Sequence, residues 1–290
     1  MTKKDILFLL SGGLTNTNPD QSLGGPKSDQ TIDNQINNLF SDVTRQQAAS
    51  GYTDYRCFYI VNNSSDEKLK NFSLYVHKGL EGAEISLGLS LKNDTQALMI
   101  TGSPIRGSFQ LQYTLRHNAI TTIQTTREIN WTDNIGTMSQ RIAAVLNSLD
   151  FVGGVQCMGN QSSAGYDFLI TFGGSSGGRA QELLSAINQE GIQVFVMPAS
   201  KGGPINSTAP NIGQDNNPPN GVTFFDTDNL TPVRIGSLFP QDFLPVWLKR
   251  TTNKSTAAVH PDQFRLHMFG EPELVLQKVP TVDTKKLIYF

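Results

Sequence analysis

Strand-patterned segments fall into two widely separated parts of this chain, and the stretch between them has a different texture. The first cluster holds Tyr55-Arg56-Cys57-Phe58-Tyr59-Ile60-Val61, Phe72-Ser73-Leu74-Tyr75-Val76 and Glu84-Ile85-Ser86-Leu87-Gly88-Leu89. The second holds Val222-Thr223-Phe224-Phe225, then Phe243 to Arg250, then Phe264 to Phe269. Each cluster reads as half of one sheet-on-sheet core, whereas the residues between them mix strand and helix periods. The fold class expected is therefore mainly β with an α+β part: a discontinuous β-sandwich interrupted by a small α+β insert domain.

The boundaries follow from changes in composition. Residues 1–50 read as an N-terminal loop-rich arm, because Ser11-Gly12-Gly13, Asn16 to Asp20 and Ser22 to Pro26 are turn residues with little to bury. Within it, Ile6 to Leu10 is too short for a signal-peptide core and reads as a strand or an ordered arm. Residues 51–105 are the first half of the sandwich and 222–272 the second. An inserted domain over 106–198 is followed by a linker over 199–221, rich in Gly, Pro, Asn and Ser, and residues 273–290 form a C-terminal tail. No stretch reaches the roughly 20 apolar residues of a membrane helix.

In the insert, Phe109 to Leu115 alternates strictly, His117-Asn118-Ala119 suits a hairpin turn, and Ile120 to Ile129 would be the return strand. Ile135, Met138, Ile142, Val145, Leu146 and Leu149 recur at helical spacing, with Asp133 or Asn134 placed to cap the start. Arg179 to Asn188 reads as a second helix with Leu183, Leu184 and Ile187 on one side and Gly191 as its stop. Strands are expected at Val155 to Met158, Tyr166 to Phe172 and Ile192 to Val196, so the insert would run β-β-α-β-β-α-β.

Only 17 % of the 290 residues are charged and the formal charge is −2. Nucleic acid is thereby excluded as a main partner, since phosphate binding needs a basic face. Lys249-Arg250 and similar pairs read as solvated strand ends. Uncharged polar side chains cost less to desolvate than charges and suit surfaces that meet other proteins. Cys57 and Cys157 fall in different expected domains and read as two buried free thiols.

Candidate chemistry is sparse. Gly173-Gly174-Ser175-Ser176-Gly177-Gly178-Arg179 precedes an expected helix, where backbone amides bind phosphate, yet it lacks the Lys-Ser/Thr of a P-loop and the dinucleotide Gly spacing. A flexible connection is the simpler reading. His77, His117, His260 and His267 show no metal-ligand spacing, no carboxylate pair stands out, and no Gly-x-Ser-x-Gly elbow marks a nucleophile. Trp247 reads as core; Trp131 reads as a staple or an exposed contact. No catalytic, cofactor-binding or metal-ligating residue is assigned, and no enzyme activity is expected.

Leu10-Ser11-Gly12-Gly13…Asn16…Ser22-Leu23-Gly24-Gly25, Leu39 to Thr44, Gly51 to Cys57 and Val246 to Thr251 resemble structural proteins of tailed-bacteriophage virions. The hairpin from Gly107, the following helix and Phe168-Leu169-Ile170-Thr171-Phe172-Gly173 are similar to a small module of such proteins. The resemblance implies a particle component, in the tail at a baseplate, neck or fibre attachment, with a capsid decoration role or a receptor- or glycan-binding tail module as alternatives. Its partners would be other virion proteins and copies of itself, without nucleic acid or membrane, in a chain made in the host cytoplasm and located in the virion. Assembly contacts are expected at the apolar end, Leu287, Ile288, Tyr289 and Phe290, and at Leu39 and Phe40, the small apolar anchor of the arm.

Overall fold

In a computed structural model the fold is described for residues 5–32, 38–77, 82–102, 106–117, 120–162, 165–254 and 264–274. Strands make up 53 % of the described residues and helix 10 %, so the protein is mainly β, built from several antiparallel sheets. The chain divides into two compact units. One combines residues up to Ser90 with those from Pro204 onward, and the other is Leu91–Gly203.

In the first unit a seven-stranded sheet runs in the order Ala83–Lys92, Phe243–Thr252, Tyr52–Asn62, Ile6–Ser11, Lys27–Thr31, with Val222–Phe225 also pairing on Ala83–Lys92 and the short Gly203–Pro204 at that edge. Phe243–Thr252 thus lies between two strands of the first half, with Val246 opposite Phe58 and Trp247 opposite both Cys57 and Gly88. A second sheet orders Val233–Leu238, Glu67–His77 and Arg265–Leu274.

Tyr52–Asn62 is apolar on both faces because both are covered. On one face Cys57, Tyr59 and Trp247 pack with Leu9 and with Ala209 and Ile212 of the 205–221 segment. The Tyr59 hydroxyl donates to the Gly25 carbonyl at 2.6 Å and accepts from the Ala209 amide at 2.9 Å, which ties two loops to the strand. Phe58, Ile60, Leu87, Leu89 and Leu248 occupy the other face and are fully buried.

Several expected boundaries need correction. Residues 1–50 are not a separate arm: Ile6–Ser11 and Lys27–Thr31 are strands of the large sheet, and Arg45–Ser50 is a helix with a Thr44/Gln47 capping box. Residues 205–221 are not a bare linker but cover for the sheet. The insert begins at Leu91 rather than 106, because Asp94–Thr101 pairs with Gly165–Phe172 and Gln193–Ser200 of the second unit.

That second unit encloses one core between two sheets and a helix. One sheet orders Val155–Ser162, Gly165–Phe172, Asp94–Thr101, Gln193–Ser200; the other orders Ser185–Glu190, Ser108–His117, Ile120–Thr125, with Ile129–Asn130 beside Ser108–His117. Helix Ile135–Leu146 buries Met138, Ile142, Val145 and Leu146, and its Asn134 side chain accepts from the Thr137 amide at 2.8 Å. It stops short of Leu149 because the Asn147 side chain both donates to and accepts from the Val155 backbone, turning the chain into the next strand. Trp131 is a half-buried wedge, edge-on to Tyr166 at 4.7 Å.

The second expected helix does not form. Residues 185–190 are a strand, and 177–184 are irregular. Asp94 Oδ2 accepts from the Gln181 amide at 3.1 Å, and Gln96 Oε1 accepts from the Leu184 amide at 2.9 Å, so these donors serve buried side chains instead of a helical ladder. Ser185 then pairs with Gln112 and Ile187 with Gln110.

The thiols are unpaired and lie in different units, Cys57 buried and Cys157 half-buried, the latter a departure from the expectation of two buried thiols. Burial pushes the Cys57 thiol well up, and the Cys157 thiol up to about 12. Since thiolate is the reactive form, neither should react with a thiol-specific disulfide reagent at pH 8 in the native protein, and both should react in denaturant. Rapid native titration of one equivalent would contradict this burial.

Candidate functional site

The first unit carries a polar cleft of about 440 Å³, lined by residues that include Asp20, Asp54, Asp215, Tyr52, Arg56 and Arg250. Its floor comes from a cross-strand pair: Arg250 stands directly opposite Asp54 in the ladder between Phe243–Thr252 and Tyr52–Asn62. Arg250 Nε donates to Asp54 Oδ1 at 2.9 Å and Nη2 to Oδ2 at 2.7 Å, a bidentate pair. The Asp54 side chain is 2 % exposed and that of Arg250 13 %.

Two residues further along the strand, Arg56 is 3 % exposed and reaches Asp20 at 3.3 Å and Asp215 at 3.6 Å. Both guanidinium groups face the Phe40 ring, Arg250 at 4.6 Å and Arg56 at 5.6 Å from its centroid. Ser41 donates its hydroxyl to Asp20, and its carbonyl accepts from Arg250 Nη1 at 3.0 Å. Tyr52 donates to Asp215 at 2.8 Å; burial, then Asp215, raises its phenol above the usual tyrosine range.

Chemically this is a clasp. Asp20, Asp54 and Asp215 are each engaged by a guanidinium, and the Tyr52 phenol keeps its proton. The four segments so joined are 18–23, 38–56, 211–217 and the Phe243–Thr252 strand, which are far apart in sequence. Charge pairing of this kind locks loops onto a sheet.

The sequence missed this cluster. Lys249-Arg250 reads as a solvated strand end, yet Arg250 is only 13 % exposed and forks onto a buried carboxylate 196 residues away. Arg56, set in an apolar run of strand residues, was the one available signal.

Leu39 and Phe40, expected as assembly contacts, are 4 % and 7 % exposed within their own unit. Phe40 also meets Phe264 edge-on at 6.1 Å. They are interior residues, and that expectation is corrected. Leu287, Ile288, Tyr289 and Phe290 lie outside the described residues, as does His260.

The Gly173–Arg179 turn carries only a single 3-10 turn, Gly174–Ser176, and no helix follows, so no helix N-terminus faces a phosphate there. Its glycines allow close backbone approach: a Cβ on Gly154 would meet Gly174 N at 2.5 Å.

His77 and His267 lie 5.6 Å apart, with His267 stacked on Tyr75 and its Nδ1 hydrogen-bonded to the Tyr75 hydroxyl at 3.0 Å. Burial, then His77 and Arg265, lowers the His267 pKa and favours the neutral ring. Among the described residues no group of three or more His, Cys, Asp or Glu side chains could hold a metal ion.

No protein-family model matches the chain, and no curated protein matches it.

Proposed function

We propose that this chain is a structural component of a bacteriophage virion, most consistent with a tail site, that works by assembly contacts and not by catalysis. The observation that carries the assembly part is the character of the solvent side of the Ser108–His117 sheet. Phe109, Leu111 and Tyr113 point inward and are buried. On the other side Gln110 and Gln112 line up with Ile187, Ser185 and Thr125, and Thr114 with an Ile123 that is 60 % exposed. This row carries uncharged hydrogen-bonding and apolar groups, which desolvate at lower cost than charged ones. The phage part rests on the sequence resemblance.

The C-terminal Leu287-Ile288-Tyr289-Phe290 is the proposed clamp onto a neighbouring subunit. Deleting these four residues should lower incorporation into particles at least severalfold while leaving the thermal melt unchanged. Incorporation of the truncated chain at normal stoichiometry would reject the clamp.

A further inference from the structure

One sheet of the second unit carries an apolar row on the side that meets solvent, flanked by uncharged polar residues such as Gln156 and Thr171. Its inner side carries Phe168, Ile170, Leu98 and Val194 into the core. On its outer side the register places Met158, Leu169, Ala97 and Met197 in one row directly across all four strands. Met158 is 76 % exposed, Leu169 44 % and Met197 48 %. Phe195, 49 % exposed and opposite Met99, starts the adjoining row. Among the described residues of this face Asp167 is the only charged one.

We propose that this face binds the same face of a second copy of the chain. The inference deepens the assembly reading, and rests on it only in taking the chain's work to be association. Three features select a second copy over a different partner. A face with almost no charge offers no electrostatic key for a heterologous protein, whereas two uncharged faces can meet without repulsion. The row sets long methionines on the edge strands and small Ala97 on a central one, a relief in which an offset second copy of the same row brings Met158 over Ala97 in both directions. Methionine adapts its shape at low cost, which suits pairing across a two-fold axis.

The size also fits. Four strands about 4.8 Å apart and roughly eight residues long at about 3.3 Å each make a face of roughly 500 Å². Two such faces bury about 1,000 Å², the lower limit for a specific interface. The dimer should therefore be weak alone and reinforced by repetition in a particle.

Sedimentation velocity on the full-length chain from about 1 μM to about 1 mM tests this. The wild type should pass from monomer to dimer, and Leu169→Lys should raise the dissociation constant at least tenfold with an unchanged melt. Methyl NMR supplies a second readout: the Met158, Met99 and Met197 signals should shift with concentration while core Met138 stays fixed. A wild type that remains monomeric throughout, or a Leu169→Lys chain that dimerises equally well, overturns the proposal. If the wild type is monomeric but Leu169→Lys still abolishes particle incorporation, self-pairing is rejected and the assembly reading stands. If dimerisation holds but neither Leu169→Lys nor tail deletion affects incorporation, the assembly reading fails instead.

Discussion

Asp54→Ala should destabilise the first unit by about 3–5 kcal/mol, the range for stranding one partner of a buried ion pair. The substitution removes both acceptors of the Arg250 fork, at 2.9 and 2.7 Å, and leaves a guanidinium that is 13 % exposed with the Ser41 carbonyl and the Phe40 ring. Neither of those neutralises a charge. Replacing both partners, Asp54→Leu with Arg250→Met, removes charge and desolvation cost together, so the double variant should recover most of the loss. Each unit holds one tryptophan, Trp247 in the first and Trp131 in the second, so urea unfolding can be followed separately. In a Trp131→Phe background, the Trp247 transition should move to lower urea for Asp54→Ala and back for the double variant. An unmoved transition would mean that Arg250 finds another anion, and the clasp would lose its meaning.

Local patterns carried most of the strand positions and one helix. Tyr55 to Val61 is legible as an interior strand because both its faces are apolar, and both are buried: Ala209 and Ile212 pack on the Cys57 and Tyr59 side, and Phe58 and Ile60 are closed off on the other. Ile135 to Leu146 was legible because its period and its Asn134 cap are contained within one short window. What failed depended on distant partners. Arg250 looked like a strand-end charge because nothing nearby in sequence shows that Asp54 stands opposite it. Asp94 to Thr101 falls in the second unit and not in the first half of the sandwich, because a strand's pattern does not say which sheet it joins; its partners, Phe172 and Val196 among them, lie far downstream. Leu39 and Phe40 read as contact residues because a short apolar group in a polar segment looks stranded, but Arg56, Arg250 and Phe264 enclose Phe40.

The 177–190 segment gives the sharpest case, and Asp94 is the residue that decides it. Leu183, Leu184 and Ile187 fit a helical spacing, so intrinsic pattern and tertiary demand compete there. The Asp94 carboxylate, 2 % exposed, accepts from the Gln181 amide at 3.1 Å, the Gly202 amide at 3.0 Å and the Gln96 side chain at 3.3 Å. Gln181 in turn accepts the Tyr113 hydroxyl at 2.8 Å and donates to the Ser176 carbonyl at 2.7 Å, which anchors the turn at Gly174–Ser176. Asp94→Ala therefore strips the acceptor from the Gln181 and Gly202 amides and leaves the Gln96 side-chain amide with the Glu182 carbonyl alone, and each buried donor left without an acceptor costs about 1–3 kcal/mol. The second unit should lose at least 3 kcal/mol, read from the Trp131 transition in a Trp247→Phe background. Hydrogen exchange should locate the damage: amides of residues 177–190 should open by tenfold or more, while those of Gly165–Phe172 keep their protection. Asn at this position retains one acceptor and should recover part of the loss. If Asp94→Ala leaves exchange over 177–190 unchanged, the segment is held by its own strand pairing with Ser108–His117, and the side-chain acceptors are passengers.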